Sequence, residues 1–368
     1  MDRIRHRHPA RGAAVPAHRA GACDARRLTP ADGHPGAAPR RARHPPLGRV
    51  SAMSDSNYVR QRDTSAAHGQ TRDLTYPPLP EALTVPVYDN HTHLEIADGE
   101  SPIDFTEHLD RASSVGVRGV IQVGGDLETS RWSAETAAHE PRMLAAVAIH
   151  PNEAPAYEEA GTLDDALAEI HELAGRPRVR AVGETGLDFF RTGEEGRAAQ
   201  QRSFEEHIRI AKERGIALQI HDRDAHDEVV ATLLRVGAPE RTVFHCFSGD
   251  EDLARICAEN GWYMSFSGTV TFKNAGDLRE ALAFAPRSLL LVETDAPFLT
   301  PVPFRGRPNA PYLIPHTLRA MAAHLGTDVS MLAAQISSNT ELVYGRWDDE
   351  PVTSPSKDPA EIDPADRA

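Results

Sequence analysis

Residues 85–95 read VPVYDNHTHLE, an apolar run that ends in an acid and two histidines one residue apart. Val and Tyr suit a pleated, half-buried backbone, so the run reads as a strand. Side chains two apart in a strand share a face and lie roughly 6.6–6.8 Å apart along the chain, which lets two imidazoles reach one ion. An open doubly wound sheet would carry a Gly-rich phosphate-binding turn after its first strand, and this chain carries DNHTH there instead. Taken alone, His91-x-His93 is weak evidence for metal. Its meaning depends on what later strands supply.

Seven more apolar or β-branched runs follow: RGVIQVG (118–124), MLAAVAIH (143–150), VRAVGE (179–184), IALQIH (216–221), RTVFHC (241–246), WYMSFSG (262–268) and LLLVETD (289–295). Between them lie segments with helical apolar spacing, among them DFTEHLDRASSVG (104–116), GRAAQQRSFEEHIRIAKERG (196–215) and DEDLARICAENG (250–261), each closing in a Gly suited to a helix C-cap. Eight strands alternating with helices over about 265 residues is the rhythm of an α/β fold of the (β/α)8 TIM-barrel type. The barrel is expected over 79–347.

Residues 1–78 are rich in Arg, Pro, Ala and His without apolar periodicity and are expected to be a disordered basic extension. A start at Met53 is the alternative, because the texture changes there. The acidic, Pro-rich tail 348–368 is likewise expected to be disordered.

The charge is unevenly spread. Residues 1–50 hold eleven Arg and three acids in a chain whose formal net charge is −14, so the barrel itself is strongly acidic. An acidic body does not present the basic groove of a duplex-binding protein, although bound divalent cations reverse the local field. Three cysteines, Cys23, Cys246 and Cys257, form neither a CxxC pair nor a disulfide framework, which suits a reducing compartment. No run approaches a membrane span and no apolar stretch follows the arginine pairs as a signal would, so the expected location is cytoplasmic, with no membrane partner. The reading is compatible with a monomer.

In a barrel of this kind catalytic groups come from the C-terminal ends of different strands and converge on one mouth. Those ends carry His91 and His93, Glu184, His221, His245 and Asp295. Imidazoles and carboxylates together suit Zn, Mn or Mg, and six ligands exceed what one tetrahedral ion needs, so two divalent cations are expected with Glu184 between them. Each residue alone has a bland reading: a rim histidine, a capping acid, a turn-initiating Asp. All six at strand ends is what favours metal.

The ordered motifs DNHTHLE (89–95), AVGETGLDFF (181–190), QIHDRDA (219–225), HCFSG (245–249), MSFSGTVTFKNA (264–275), ETDAPFLTP (293–301) and RPNAP (307–311) resemble the TatD family of metal-dependent deoxyribonucleases, within the amidohydrolase-like barrels. The resemblance covers residues 85–345. It implies a metal set of His91, His93, Glu184, His221, His245 and Asp295, and a 3′ to 5′ exonuclease acting on DNA ends, single strands among them. One departure is Asn152 in AIHPN (148–152), where many relatives place a second histidine.

Many amidohydrolase relatives bridge their metals with a modified lysine on the fourth strand, but Lys212, Lys273 and Lys357 all lie elsewhere and Glu184 occupies that strand end. The expected chemistry is hydrolysis by a metal-activated water, with Glu184 and Asp295 as catalytic carboxylates and Asp295 handling the proton. Arg223, and Arg305, Arg307 and Asn309 in the loop after the eighth strand, are expected substrate contacts. Glu293, two residues before Asp295, is expected to orient a ligand. The alternative is hydrolysis of a small ester, lactone or amide on the same barrel, since ligands set the chemistry better than the substrate.

Overall fold

Alternation along extended chain sorts the strand residues of this protein into two apolar layers. In the computed structural model, which describes residues 58–62 and 72–353, eight parallel strands pair in sequence order. They are β1 (Val87–Thr92), β2 (Val117–Val123), β3 (Met143–Val147), β4 (Val179–Asp188), β5 (Ala217–Arg223), β6 (Thr242–Phe244), β7 (Tyr263–Phe266) and β8 (Leu290–Val292). Helices connect successive strands, and Gly116, Gly215 and Gly261, with φ of 87°, 63° and 71°, follow the three helices whose Gly endings the sequence marks. The expected (β/α)8 barrel is the observed fold.

The ring closes between β1 and β8. Thr92 bridges Ala296, the Asp295 N–H donates to His91 O at 2.9 Å, and the His93 N–H donates to Ala296 O at 2.7 Å. Closure thus ties the first ligand strand directly to the last.

Val120, Met143, Ala145, Val182, Leu218, Ile220 and Phe244 face outward to the helices, whereas Ile121, Leu144, Ala146, Ala181, Ala217, Val243 and Leu291 face inward. Small inward residues leave room at the N-terminal end for Tyr344 and Trp347, which follow and end the helix Val329–Tyr344. Trp347 stacks on Tyr88 with centroids 4.0 Å apart, and the Tyr344 hydroxyl accepts from Gln219 Nε2 at 2.8 Å. The barrel is plugged at this end.

Packing against the barrel extends beyond the expected boundaries 79 and 347. Arg60–Gln61 forms a short parallel pair with Ile96–Ala97, and Arg62 and Arg72 both reach the buried Asp98. At the other end Glu350 accepts from the Arg178 N–H at 2.7 Å and the Thr353 N–H donates to Ala138 O. Composition hid these segments because they are held by backbone ladders and ion pairs, which leave no apolar period. The remainder of both tails, Met53 and Cys23 included, lies outside the described residues. No helix among the described residues is long and apolar enough to cross a membrane.

Candidate metal centre

Two β-bulges aim the first candidate ligands. Asp89 of β1 pairs with outward Val120, yet three residues later it is Thr92 that pairs with Gln122, two residues further along β2. The extra residue reverses the alternation and turns His91 and His93 into the barrel. In β4, Val182 pairs with Leu218 and Thr185 with Ile220, again three residues against two, which swings Glu184 inward. A Cβ on neighbouring Gly183 would lie 2.5 Å from Gln219 Cβ, so the chain needs glycine at this close approach. His221 needs no bulge, because it alternates with outward Ile220. His245 and Asp295 stand just past β6 and β8, and Asp295 and Cys246 adopt left-handed φ values of 55° and 41°.

The six residues expected to bind metal converge. Glu184 is at the centre with its two oxygens facing different partners: Oε1 is 2.5 Å from His221 Nδ1, 2.9 Å from His245 Nε2 and 3.4 Å from His150 Nε2. Its Oε2 is 3.7 Å from His91 Nε2 and 3.8 Å from His93 Nε2. Asp295 Oδ1 faces the same pair, at 3.9 Å and 3.6 Å. Among the described residues three groups have donor atoms spaced to hold an ion, namely His91, His93 and Asp295; His91, His245 and Glu293; and His150, Glu184 and His221.

Outer contacts orient these donors. His93 Nδ1 lies 2.9 Å from Val123 O, so it carries the proton and leaves Nε2 with a free lone pair. His91 Nε2 meets His93 Nε2 at 3.2 Å, two ring nitrogens aimed at one point. The buried His91 Nδ1 has no hydrogen-bond partner. Glu293 takes the orienting role expected of it, with Oε1 at 3.1 Å from His245 Nδ1 while accepting the Cys246 N–H at 2.7 Å. The Cys246 thiol is turned toward Ser267 Oγ, and burial pushes it up to about 12, as fits an inert thiol.

Electrostatics show a cluster that calls for positive charge. Burial disfavours the imidazolium of His93, yet Glu95, Asp295 and Glu184 outweigh it and raise His93 to about 9. His221 rises likewise to about 9 against its burial, through Glu184 and Asp188. Burial and neighbouring His245 lower His91 to about 4. Glu184 is held well below the usual carboxylate range despite its burial, by His245, His150 and His221. Neutral imidazole and ionised carboxylate donors, with nitrogens opposed at hydrogen-bond distance, fit a divalent cation, which would replace those protons.

Sequence reasoning missed His150 and Asp188. His150 ends the run MLAAVAIH, the same signal that picked out His221 and His245, but it lies three residues beyond β3. Asp188 Oδ2 faces His221 Nε2 at 3.1 Å and accepts from Asn152 Nδ2 at 2.9 Å, so Asn152 supports a candidate ligand at second hand.

The expected substrate contacts divide. Arg223 ends β5 at the mouth and stacks on Phe190, and Arg305 is exposed above Phe272. Asn309 serves the loop itself, which corrects the expectation for it, and Arg307 is held to the segment Thr75–Tyr76. Arg307 donates to Thr75 O and Tyr76 O, and Asn309 is buried with its Nδ2 donating to Thr294 O at 2.9 Å and to Phe298 O. Arg307 also donates to the Thr75 hydroxyl at 2.7 Å.

Residues 88–345 match the family model described as "TatD related DNase". The chain is 42% identical over 261 residues to a protein of Mycobacterium tuberculosis named "Uncharacterized metal-dependent hydrolase TatD", covering 70% of this chain and 97% of that one. It is 34% identical to the "3'-5' ssDNA/RNA exonuclease TatD" of Escherichia fergusonii, covering 66% and 93%. Among solved structures, the TatD homolog YJJV of Escherichia coli superposes with a TM-score of 0.64 at 26% identity, over 71% of this chain and 98% of that one.

Proposed function

Since the chain belongs to the TatD family of metal-dependent hydrolases, we propose that it is a nuclease that removes nucleotides from the 3′ ends of single-stranded DNA, with two divalent cations at the barrel mouth. The observation that carries this reading is the division of Glu184: one oxygen toward His150, His221 and His245, the other toward His91 and His93. A carboxylate so placed would serve two cation sites at once.

His91, His93 and Asp295 would hold one ion and His150, His221 and His245 the other, with Glu184 common to both. Bound divalent cations supply electrophilic activation of the phosphodiester and of water. Asp295, beside the His91–His93 pair, would take the proton from the attacking water. Glu293 and Val123 O fix the ring orientations of His245 and His93, so that their lone pairs are set before substrate arrives. Arg223, at the rim, faces the negative charge of the strand.

Metal analysis joined to a nuclease assay on the purified protein tests the reading. Two equivalents of Mg, Mn or Zn with chelator-sensitive shortening of a single-stranded oligonucleotide from its 3′ end is the expected result. Turnover of lactone, ester or amide panels with no action on nucleic acid would overturn it. The cytoplasmic location is part of the same proposal.

A further inference from the structure

An isolated exposed phenylalanine is ordinary on a protein surface, but Phe190 is placed and backed in a way that is not. It is 63% exposed, two residues past the end of β4, beside the metal centre. The Arg223 guanidinium covers one face of its ring, with Cζ 4.0 Å from the centroid. Both members are delivered by strands that overshoot the ligand layer: β4 runs on from Glu184 to Asp188, and β5 from His221 to Arg223, with Asp188 and Arg223 paired in register. At about 3.3 Å per residue, Arg223 stands some 6.6 Å beyond His221 along its strand. The pair is thus a step above the ions' ligands.

Two similar pairs stand on the loops after β7 and β8, across the barrel from Phe190. Arg305 Cζ lies 4.2 Å from the Phe272 centroid after β7, and Arg62 Cζ lies 4.6 Å from that of Phe298 after β8. Phe298 in turn sets its ring edge-to-face with His93, at 6.3 Å. In a strongly acidic barrel, arginine stacked on phenylalanine supplies the cationic and aromatic surface that the composition otherwise lacks. That combination is the one single-stranded nucleic acid uses, because every base has a π-face and a duplex keeps its bases stacked internally.

We propose that Phe190, backed by Arg223, is the stacking platform for one unpaired nucleobase of the substrate strand. The inference rests on the nuclease reading and names how that site selects single strands.

The test uses the metal-loaded full chain and a single-stranded oligonucleotide, together with a series in which one abasic residue replaces each of the 3′-proximal nucleotides in turn. Phe190→Ala should raise KM about ten-fold with kcat little changed, and Phe190→Trp should restore it. One abasic position should cost the wild type the same factor, and that loss should not add to Phe190→Ala. An unchanged KM in Phe190→Ala, or losses that multiply at every abasic position, overturns the platform. No turnover of any single-stranded oligonucleotide by the wild type is a different outcome, which removes the nuclease reading beneath it.

Discussion

Asn152 Nδ2 donates to Asp188 Oδ2 at 2.9 Å, and that same oxygen faces His221 Nε2 at 3.1 Å. Asn152, outside the ligand set, therefore controls the angle at which His221 presents its other nitrogen to the centre.

Removing that support should loosen the metal without unfolding the protein. Outer partners of ligating histidines are worth about 10–100-fold in affinity, so Asp188→Ala should fall in that range and Asn152→Ala toward its lower end. Titration of the apoprotein with Mn2+ by calorimetry reads the change. An affinity equal to wild type would leave Asp188 as no more than a packing residue.

Asp295→Ala should abolish hydrolysis of single-stranded DNA in Mg2+ or Mn2+ while circular dichroism stays unchanged. Chelation should stop turnover in the wild type and also lower Tm. A cation that binds only the folded state adds about 2.7 kcal/mol at 100 times its Kd. Glu184→Ala should lose most of this metal-dependent Tm shift, since it removes the group common to both sides of the centre. A full shift in that variant would contradict the bridging role.

Two buried histidines outside the candidate ligand set impose an acid limit. His207 is buried, its Nδ1 donates to Ser203 O at 2.7 Å and its Nε2 accepts the Ile149 N–H at 3.0 Å, a pattern only the neutral ring can make. Burial lowers His207 to about 4, and burial, aided by Arg111, lowers His108 to about 3, against an ordinary 6.5. The unfolded chain takes up these protons below 6.5 and the folded one does not. Stability is therefore complete above pH 6.5 and falls as the pH drops toward 4, by at most about 1.4 kcal/mol per pH unit for each ring. Urea titrations between pH 7 and 4.5 should show a shallower fall in His207→Gln than in wild type.

The plug at the closed end predicts a stability effect. A Cβ on Gly119 would meet Trp347 Nε1 at 2.6 Å, so Gly119→Ala should displace the indole and cost about 1–3 kcal/mol. Trp347→Ala, which removes the stack on Tyr88 and the donation to Arg142 O, should cost about 3 kcal/mol or more. Equilibrium urea unfolding measures both, and a neutral Gly119→Ala would mean that Trp347 is not wedged there.

The eight apolar runs, their order and the polar residues at their ends were all readable along the chain. Period-two alternation and Gly-terminated amphipathic segments are local properties of a sequence. His91, His93, Glu184, His221, His245 and Asp295 could be singled out on that basis, and His150 carried the same signal unused. The roles of Arg307 and Asn309 could not be read, because a loop arginine bound to Thr75 and Tyr76 carbonyls looks the same in sequence as one free to meet a phosphate.

The spacing of His91 and His93 guarantees that they share a face, but which face is another matter. Tyr88 points into the barrel, so unbroken alternation would have sent both histidines outward to the helices, and Glu184 with them. One extra residue in β1 and one in β4 reverse that parity, and such a bulge exists only through the pairing of each strand with its neighbour. Residue types and spacing supplied the candidate ligands, and strand register turned them toward one another.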